Sequence, residues 1–427
     1  MIANLNDKNR IINLFANGML SLMIYFVITV AIKPCSAQAL SLKKVFKNDF
    51  IIGAALGYDE INGKYPDDIK MVTKQFNAIS SAILEWSSIN PKPGFYNFET
   101  ADKYVDFGEK HKMFIIAHGL IWHQLVPEWI FKNKDGNITT RDTLLKRMRN
   151  HIFTLVGRYK GRISCWIVAN EALENNGQLR KTKWLEIIGK DYLQKAFEYA
   201  HDADPNAKLY YNDYDLWMPA KRIAMIELIQ ELKSKGVHLD GVGIQGHWTI
   251  DYPSLDKVEE TLVAFSKIGV RVMITEMDVS VLPRPGHHEG AEITDSYKQS
   301  EALNPYPHSL PDSMQNRLAD RYVKIFELFH QYRNEIDGVT FWGINDRDSW
   351  RNDWPIKGRT DYPMLFDRSN QPKPAFYSVI NNKKNVKDKK FHPAVTITPD
   401  VLILIDPSEE GPVKRAVQDL VRVLKKT

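Results

Sequence analysis

Cysteine is nearly missing from this 427-residue chain, which holds Cys35 and Cys165 and no others. Cys35 falls in a predicted export leader, so no disulfide is available within the mature chain, and Cys165 reads as an inert core thiol. Long apolar runs are also scarce. Lys8 and Arg10 precede one from Met19 to Ile32, followed by Ala37-Gln38-Ala39. A charged start, an apolar run and a small-residue cleavage site describe an export signal over residues 1–39, hence a secreted or periplasmic protein. An uncleaved anchor is the alternative. Nothing else is long and apolar enough to span a membrane, so no stable membrane partner is expected once the signal is cleaved. Net charge is +5, but the excess sits at the two ends, leaving residues 40–382 near neutral. The basic surface that nucleic-acid binding requires is therefore lacking. Ligand patterns for a metal are lacking too. His287-His288 lie in a polar loop without accompanying Cys or carboxylate ligands, so neither a metal nor another cofactor is expected.

What the chain does have is a repeating unit of short apolar strand, polar loop and amphipathic helix. Strands are expected at Phe50–Ala55, Ala78–Leu84, Phe114–His118, Ile163–Val168, Lys208–Asn212, Gly241–Gln245, Val272–Thr275 and Val339–Trp342. Helices fit between them, for example Thr143–Tyr159 and Gln315–Tyr332. Eight such units without consecutive strands predict an α/β fold, a (β/α)8 barrel over residues 40–382. Two strands end in acid. Cys165-Trp166-Ile167-Val168-Ala169-Asn170-Glu171 and Val270-Arg271-Val272-Met273-Ile274-Thr275-Glu276 each deliver a glutamate at the C-terminal tip, where barrels place catalytic groups. Two strand-end carboxyls in one domain suggest a paired-carboxylate hydrolase; a cap or a loop ion pair is the plainer reading for either alone. The long connections all follow strands and carry Trp122, Trp129, Trp184, Trp350 and Trp354, with Trp248 after the sixth strand. Indole faces stack on sugar rings, so an aromatic top face suits a polysaccharide.

These residues resemble the retaining xylanases of glycoside hydrolase family 10, from about Phe50 to Ile380. The likeness is carried by Ala117-His118-Gly119-Leu120-Ile121-Trp122-His123, Trp166 to Ala172, Leu209-Tyr210-Tyr211-Asn212-Asp213, Gly241 to His247, Ile274 to Val279, Phe341-Trp342-Gly343 and Ser349-Trp350. The resemblance implies an endo-1,4-β-xylanase acting on xylan or xylo-oligosaccharides by double displacement, with Glu276 as nucleophile and Glu171 as acid/base. Such chemistry places the two carboxyls about 5–5.5 Å apart. It further implies substrate-contact roles for His118, Trp122, Asn170, Asn212, Trp342 and Trp350. Gln245 and His247 would orient the two carboxyls, with Asp278 holding the His247 imidazole.

One stretch departs from the family. After its second strand the family carries a Glu-Asn pair and then a Lys before a Trp, all binding sugar hydroxyls. Here Ser81 and Ala82 stand near the pair's place and Glu85 near the lysine's, in a segment one residue shorter. Altered recognition on the glycone side is expected. Two alternatives stay open: a catalytically weak xylan-binding protein on the same barrel, or an enzyme for a decorated xylan or another β-1,4-glycan. Residues 383–427 read as a charged linker, a strand at Val401–Ile405 and a helix at Pro412–Lys426. They weakly resemble the opening of the N-terminal domain of bacterial α-glucuronidases, and are expected to be a tail or part of a second domain.

Overall fold

In a computed structural model of the chain, the structure describes residues 41–285 and 296–385. The predicted leader, His287-His288 and the tail beyond residue 385 lie outside them. Nine strands form: β1 Ile51–Ala55, β2 Ala78–Ser81, β3 Phe114–Ala117, β4 Cys165–Asn170, β5 Lys208–Asp213, β6 Gly241–Ile244, β7 His247–Thr249, β8 Arg271–Ser280 and β9 Ile336–Phe341. Eight of them pair in parallel in the order β1-β2-β3-β4-β5-β6-β8-β9, and β9 returns to β1 with Ile52 opposite Val339. The sheet is thus closed, and the fold is a (β/α)8 barrel. Short β7 lies outside the ring and pairs with the far end of β8, His247 opposite Asp278.

The strands are buried on both faces, β2 and β4 along their whole lengths, because helices cover the outside while side chains fill the inside. Ile116, Cys165, Ile167, Tyr210 and Met273 pack as one such inner group. The Cys165 thiol is free and buried, and burial pushes its pKa up, as suits an unreactive core residue. The helices bury one stripe each. Glu99–Lys110 turns Ala101, Tyr104, Val105 and Gly108 inward, and Arg141–Arg158 is capped by the Thr140 hydroxyl, which accepts from Thr143 N. At the strand starts, Asp337 accepts from Lys208 Nζ at 3.0 Å, Arg271 Nε at 2.7 Å and the Tyr210 hydroxyl, so charge there is internally paired.

Three strand boundaries differ from expectation in ways that matter for the site. The second strand stops at Ser81 instead of running to Leu84. The Ser81 hydroxyl accepts from Ile83 N at 3.1 Å, which turns Ala82–Leu84 into a single 3₁₀ turn. The fourth strand begins and ends two residues later, so Asn170 is its last residue. The seventh expected strand is ten residues long and carries Glu276 and Asp278 within it rather than after it.

Candidate active site

Asn170 and Glu171 are adjacent, yet both face one cavity at the C-terminal end of the barrel. Strand alternation would send them to opposite sides. Glu171 avoids this with a left-handed backbone, φ +55°, a conformation that costs a non-glycine residue about 1–2 kcal/mol. It is held there by Glu171 N donating to Asn212 O at 2.9 Å and Ala172 N donating to the Tyr211 hydroxyl at 2.8 Å. Glu276 comes from β8, where the pairing with β9 shifts register between Ile274 and Met277. Its backbone N donates to Gln245 O at 2.7 Å, tying the two carboxyl-bearing segments through β6.

The cavity measures about 110 Å³ and is lined by Glu171, Glu276, His118, Trp122, Asn170, Gln245, His247, Trp342 and Trp350, together with Ala82, Glu85 and Leu125. The two glutamates are almost fully buried but have unlike surroundings. Glu171 Oε1 accepts from Gln245 Nε2 at 2.7 Å and Asn170 Nδ2 at 3.3 Å, and Oε2 accepts from the Trp122 indole at 2.9 Å. All three donors are neutral. Burial raises the Glu171 pKa, and the Asp213 charge behind it adds to the rise. The hydrogen bonds only partly offset this, and the carboxyl sits at about 7.

Glu276 faces a cation. His247 Nε2 lies 3.2 Å from Glu276 Oε2, while its Nδ1 lies 2.9 Å from Asp278 Oδ2. Burial alone would lower this imidazole, but Asp278 and Glu276 overcome it and raise the pKa to about 9. Asp278 has no exposure and accepts from Arg351 Nε at 2.6 Å and the Trp350 indole at 2.8 Å. Burial pushes its carboxyl up, yet Arg351 and His247 hold it below the usual range. Asn212 Nδ2 donates to Glu276 Oε1 at 2.7 Å. His118 stands 3.8 Å from the same oxygen, packs edge-to-face on Trp342, and is lowered by burial.

One expected substrate contact is placed differently. Asn212 is fully buried behind Glu276, and its carboxamide is consumed by Glu276, Asn170 and Thr275, so it can position the carboxyl but not reach a sugar. The close approach depends on β6, where a Cβ on Gly243 would collide with the Asn212 carboxamide. Of the tryptophans on the long connections, Trp122, Trp342 and Trp350 line the cavity. Trp184 and Trp248 are instead core residues, the first donating to Trp122 O at 2.8 Å and the second packing on Phe329. The sequence reading missed Arg351 and the pair of Asp213 and Lys221, whose charged atoms meet at 2.7 Å with no exposure. No local signal marks them. Lys221 reads as a solvated helix position until the fold places Asp213 against it.

Among the described residues, Glu60, Asp68 and Asp348 also bring carboxyl oxygens close enough to share a cation. Arg347 already pairs with Asp68 and Asp348 there, and Asn370 donates to Asp68 at 2.6 Å. The cluster is thus part-neutralised by the protein itself.

Comparison with known proteins gives the family. The profile of Glycosyl hydrolase family 10 matches residues 41–382. An endo-1,4-beta-xylanase A of Xylanibacter ruminicola is 39% identical over 359 residues, covering 83% of this chain and 97% of that protein. An endoxylanase structure from a sugarcane soil metagenome superposes with TM-score 0.79 at 42% identity, covering 80% of this chain and 99% of the other. A mutant solved in complex with xylotriose gives 0.72 at 35% identity, covering 80% and 100%.

Proposed function

The chain belongs to glycosyl hydrolase family 10 and is a glycoside hydrolase; from that premise we propose that it is a retaining endo-1,4-β-xylanase whose glycone side is altered. The observation that carries the reading is the unlike environment of two carboxyls facing one cavity. Glu171, raised to about 7 among neutral donors, is suited to hold a proton for the leaving oxygen. Glu276, against the His247 cation, is suited to attack the anomeric carbon as a carboxylate.

In the first step Glu276 forms the glycosyl ester while Glu171 protonates the departing sugar. Neutralising Glu276 removes a negative neighbour, so Glu171 then finds it easier to ionise and to take a proton from water in the second step. Asn170 lines the cavity beside Glu171 and is placed to bond a ring hydroxyl as charge develops. Trp342 and Trp350 supply the aromatic walls.

The altered glycone side rests on Ser81, Ala82 and Glu85. Ser81 is buried with its hydroxyl donating to Leu56 O at 2.8 Å, so it offers nothing to a sugar. Ala82 borders a second cavity of about 200 Å³, which shares Ala82, Trp342 and Trp350 with the first and continues to Leu56, Glu60 and Asp348. That extra room supports a decorated xylan as the preferred substrate. Export to the periplasm or medium through residues 1–39 belongs to the same proposal, since xylan is too large to enter a cell.

Reducing ends released from xylan, with the anomer of the first product followed by proton NMR, test the reading. Retained configuration is expected. An inverted product, or binding without cleavage, refutes it.

A further inference from the structure

Glu85 closes the 3₁₀ turn that follows β2, with its backbone N donating to Ala82 O at 3.1 Å. Its side chain is 3% exposed and lines the same cavity as Glu171 and Glu276. Oε1 packs at the Cα of Gly119, within 3.0 Å of where a Cβ would be, so the residue after His118 leaves room for it. Oε2 has no hydrogen-bond partner among the described residues. The segment is firmly held: Trp86 stacks on His151 at 3.8 Å with the rings 5° from parallel, and its indole donates to Asn90 at 3.3 Å. A buried carboxyl lining a cavity with an unpartnered oxygen is a costly arrangement unless a ligand completes it.

We propose that Glu85 is a third substrate-facing carboxyl of this cavity, which hydrogen-bonds a hydroxyl of the glycone sugar and so selects the units that are cleaved. The inference rests on the xylanase reading. Its chemistry follows from what surrounds it. The acidic groups that act on Glu85 are Glu171 and Glu276; the other titratable groups lining the cavity are His118, lowered by burial, and His247, engaged by Glu276 and Asp278. Among the described residues no lysine or arginine lines it. Burial first, and the two acidic neighbours next, hold the Glu85 carboxyl well above the usual range, so it stands as a neutral acid. A carboxylic acid both donates and accepts, whereas the lysine of the resembling family only donates. Glu85 can therefore satisfy a sugar hydroxyl in either role, without adding a cation beside Glu171.

The test is kcat/KM on an aryl β-xylobioside and on xylan for Glu85→Gln and Glu85→Leu, with thermal unfolding recorded alongside. Glutamine keeps a neutral donor and acceptor, leucine keeps only the volume. The leucine variant is expected to lose about 30-fold and the glutamine variant only about threefold, since a buried hydroxyl left unpaired costs more than an imperfect bond. The alkaline limb of the glutamine variant should overlay that of the wild type, because neither side chain is charged there. Wild-type kcat/KM in the leucine variant overturns the inference; so does a glutamine variant as impaired as leucine, or one whose alkaline limb moves by a full pH unit. If Glu85→Leu does not fold, xylobiosides lacking one glycone hydroxyl carry the test: one of them must erase the difference between wild type and Glu85→Gln, and none doing so overturns it. A wild type with no turnover refutes the xylanase reading itself, while an active wild type indifferent to Glu85 refutes this inference alone.

Discussion

Asp213→Asn should move the alkaline limb of activity to lower pH while destabilising the fold, and the two effects should be separable. Asp213 ends β5 with no exposure; it pairs with Lys221 Nζ at 2.7 Å and accepts from the Tyr211 hydroxyl at 2.7 Å. That hydroxyl in turn accepts from Ala172 N, so Asp213 sits one residue's reach behind Glu171. After burial, its charge is the largest cause holding the Glu171 pKa near 7. Removing the charge, and leaving the Lys221 ammonium facing the site, both favour ionised Glu171. A like charge at such range is worth about one pKa unit or more, so the limb of kcat/KM should fall from near pH 7 to near pH 6. At pH 8 that is about tenfold less of the acid form. The broken buried pair should also cost roughly 3–5 kcal/mol in denaturant unfolding. Adding Lys221→Met restores a neutral interior, so most of the stability should return while the limb stays below that of the wild type. A limb unchanged or moved to higher pH in Asp213→Asn refutes the account of how Glu171 keeps its proton.

The proposed catalytic pair predicts that Glu276→Ala and Glu171→Ala each abolish most turnover on xylan. A substrate with a good leaving group should rescue the first step of the Glu171 variant only, read as a burst of that leaving group. His247 gives a stability prediction. Its pKa is raised from 6.5 to about 9 in the fold, so its contribution is full below about pH 6.5 and is lost as pH rises through 9. Between pH 6 and pH 10 the wild type should lose up to about 3 kcal/mol more unfolding free energy than His247→Gln; equal losses refute the ion-pair assignment. On the glycone side, replacing Ser81-Ala82 with Glu-Asn, with one residue inserted, and Glu85 with Lys should raise kcat/KM on linear xylotetraose. Ordinary cleavage of xylotetraose by the unaltered protein would remove the reason for the graft.

The barrel was legible because each strand is a short apolar run and each helix an amphipathic one, and those local periods survive into the fold. Glu171 and Glu276 stood out because two apolar strands of one domain each lead into an acid, where either alone would read as a cap or a loop ion pair. Boundaries were less legible where a side chain overrules the pattern. Ser81 stops β2 by bonding its own turn, and β8 runs on through Glu276 because its later residues pair with β7, a strand only three residues long. Asn212 looked like a substrate contact from its place at a strand end, but the glycine opposite lets it fold inward onto Glu276. Lys221 and Arg351 belong to the site through partners that lie 8 and 73 residues away, at positions a helix or loop pattern assigns to solvent.

Those two cations give the two glutamates of one cavity unlike electrostatic surroundings. Behind Glu276 runs a row of alternating charge: Arg351, Asp278, His247, then the carboxylate. Two cations and two anions cancel along this row. Behind Glu171 the row is one member shorter, Lys221 and then Asp213, which cancel before the glutamate is reached. A charge on Glu171 would be in excess, and its bonds from Gln245, Asn170 and Trp122 bring no cation to balance it. On the proposed mechanism the proton stays on Glu171 until Glu276 is esterified and its negative charge leaves the cavity. Glu85 follows the same count: among the described residues no cation lines its cavity, and burial beside Glu171 and Glu276 raises its carboxyl well above the usual range. A lysine at that position would put a positive charge next to both glutamates and ease the ionisation of Glu171. On the proposed reading, a glutamate in place of the lysine changes two things at once, the hydroxyl that is recognised and the pH at which the acid is spent. The pH profile of Glu85→Lys, with an alkaline limb displaced to lower pH than in Glu85→Gln, separates the second effect from the first.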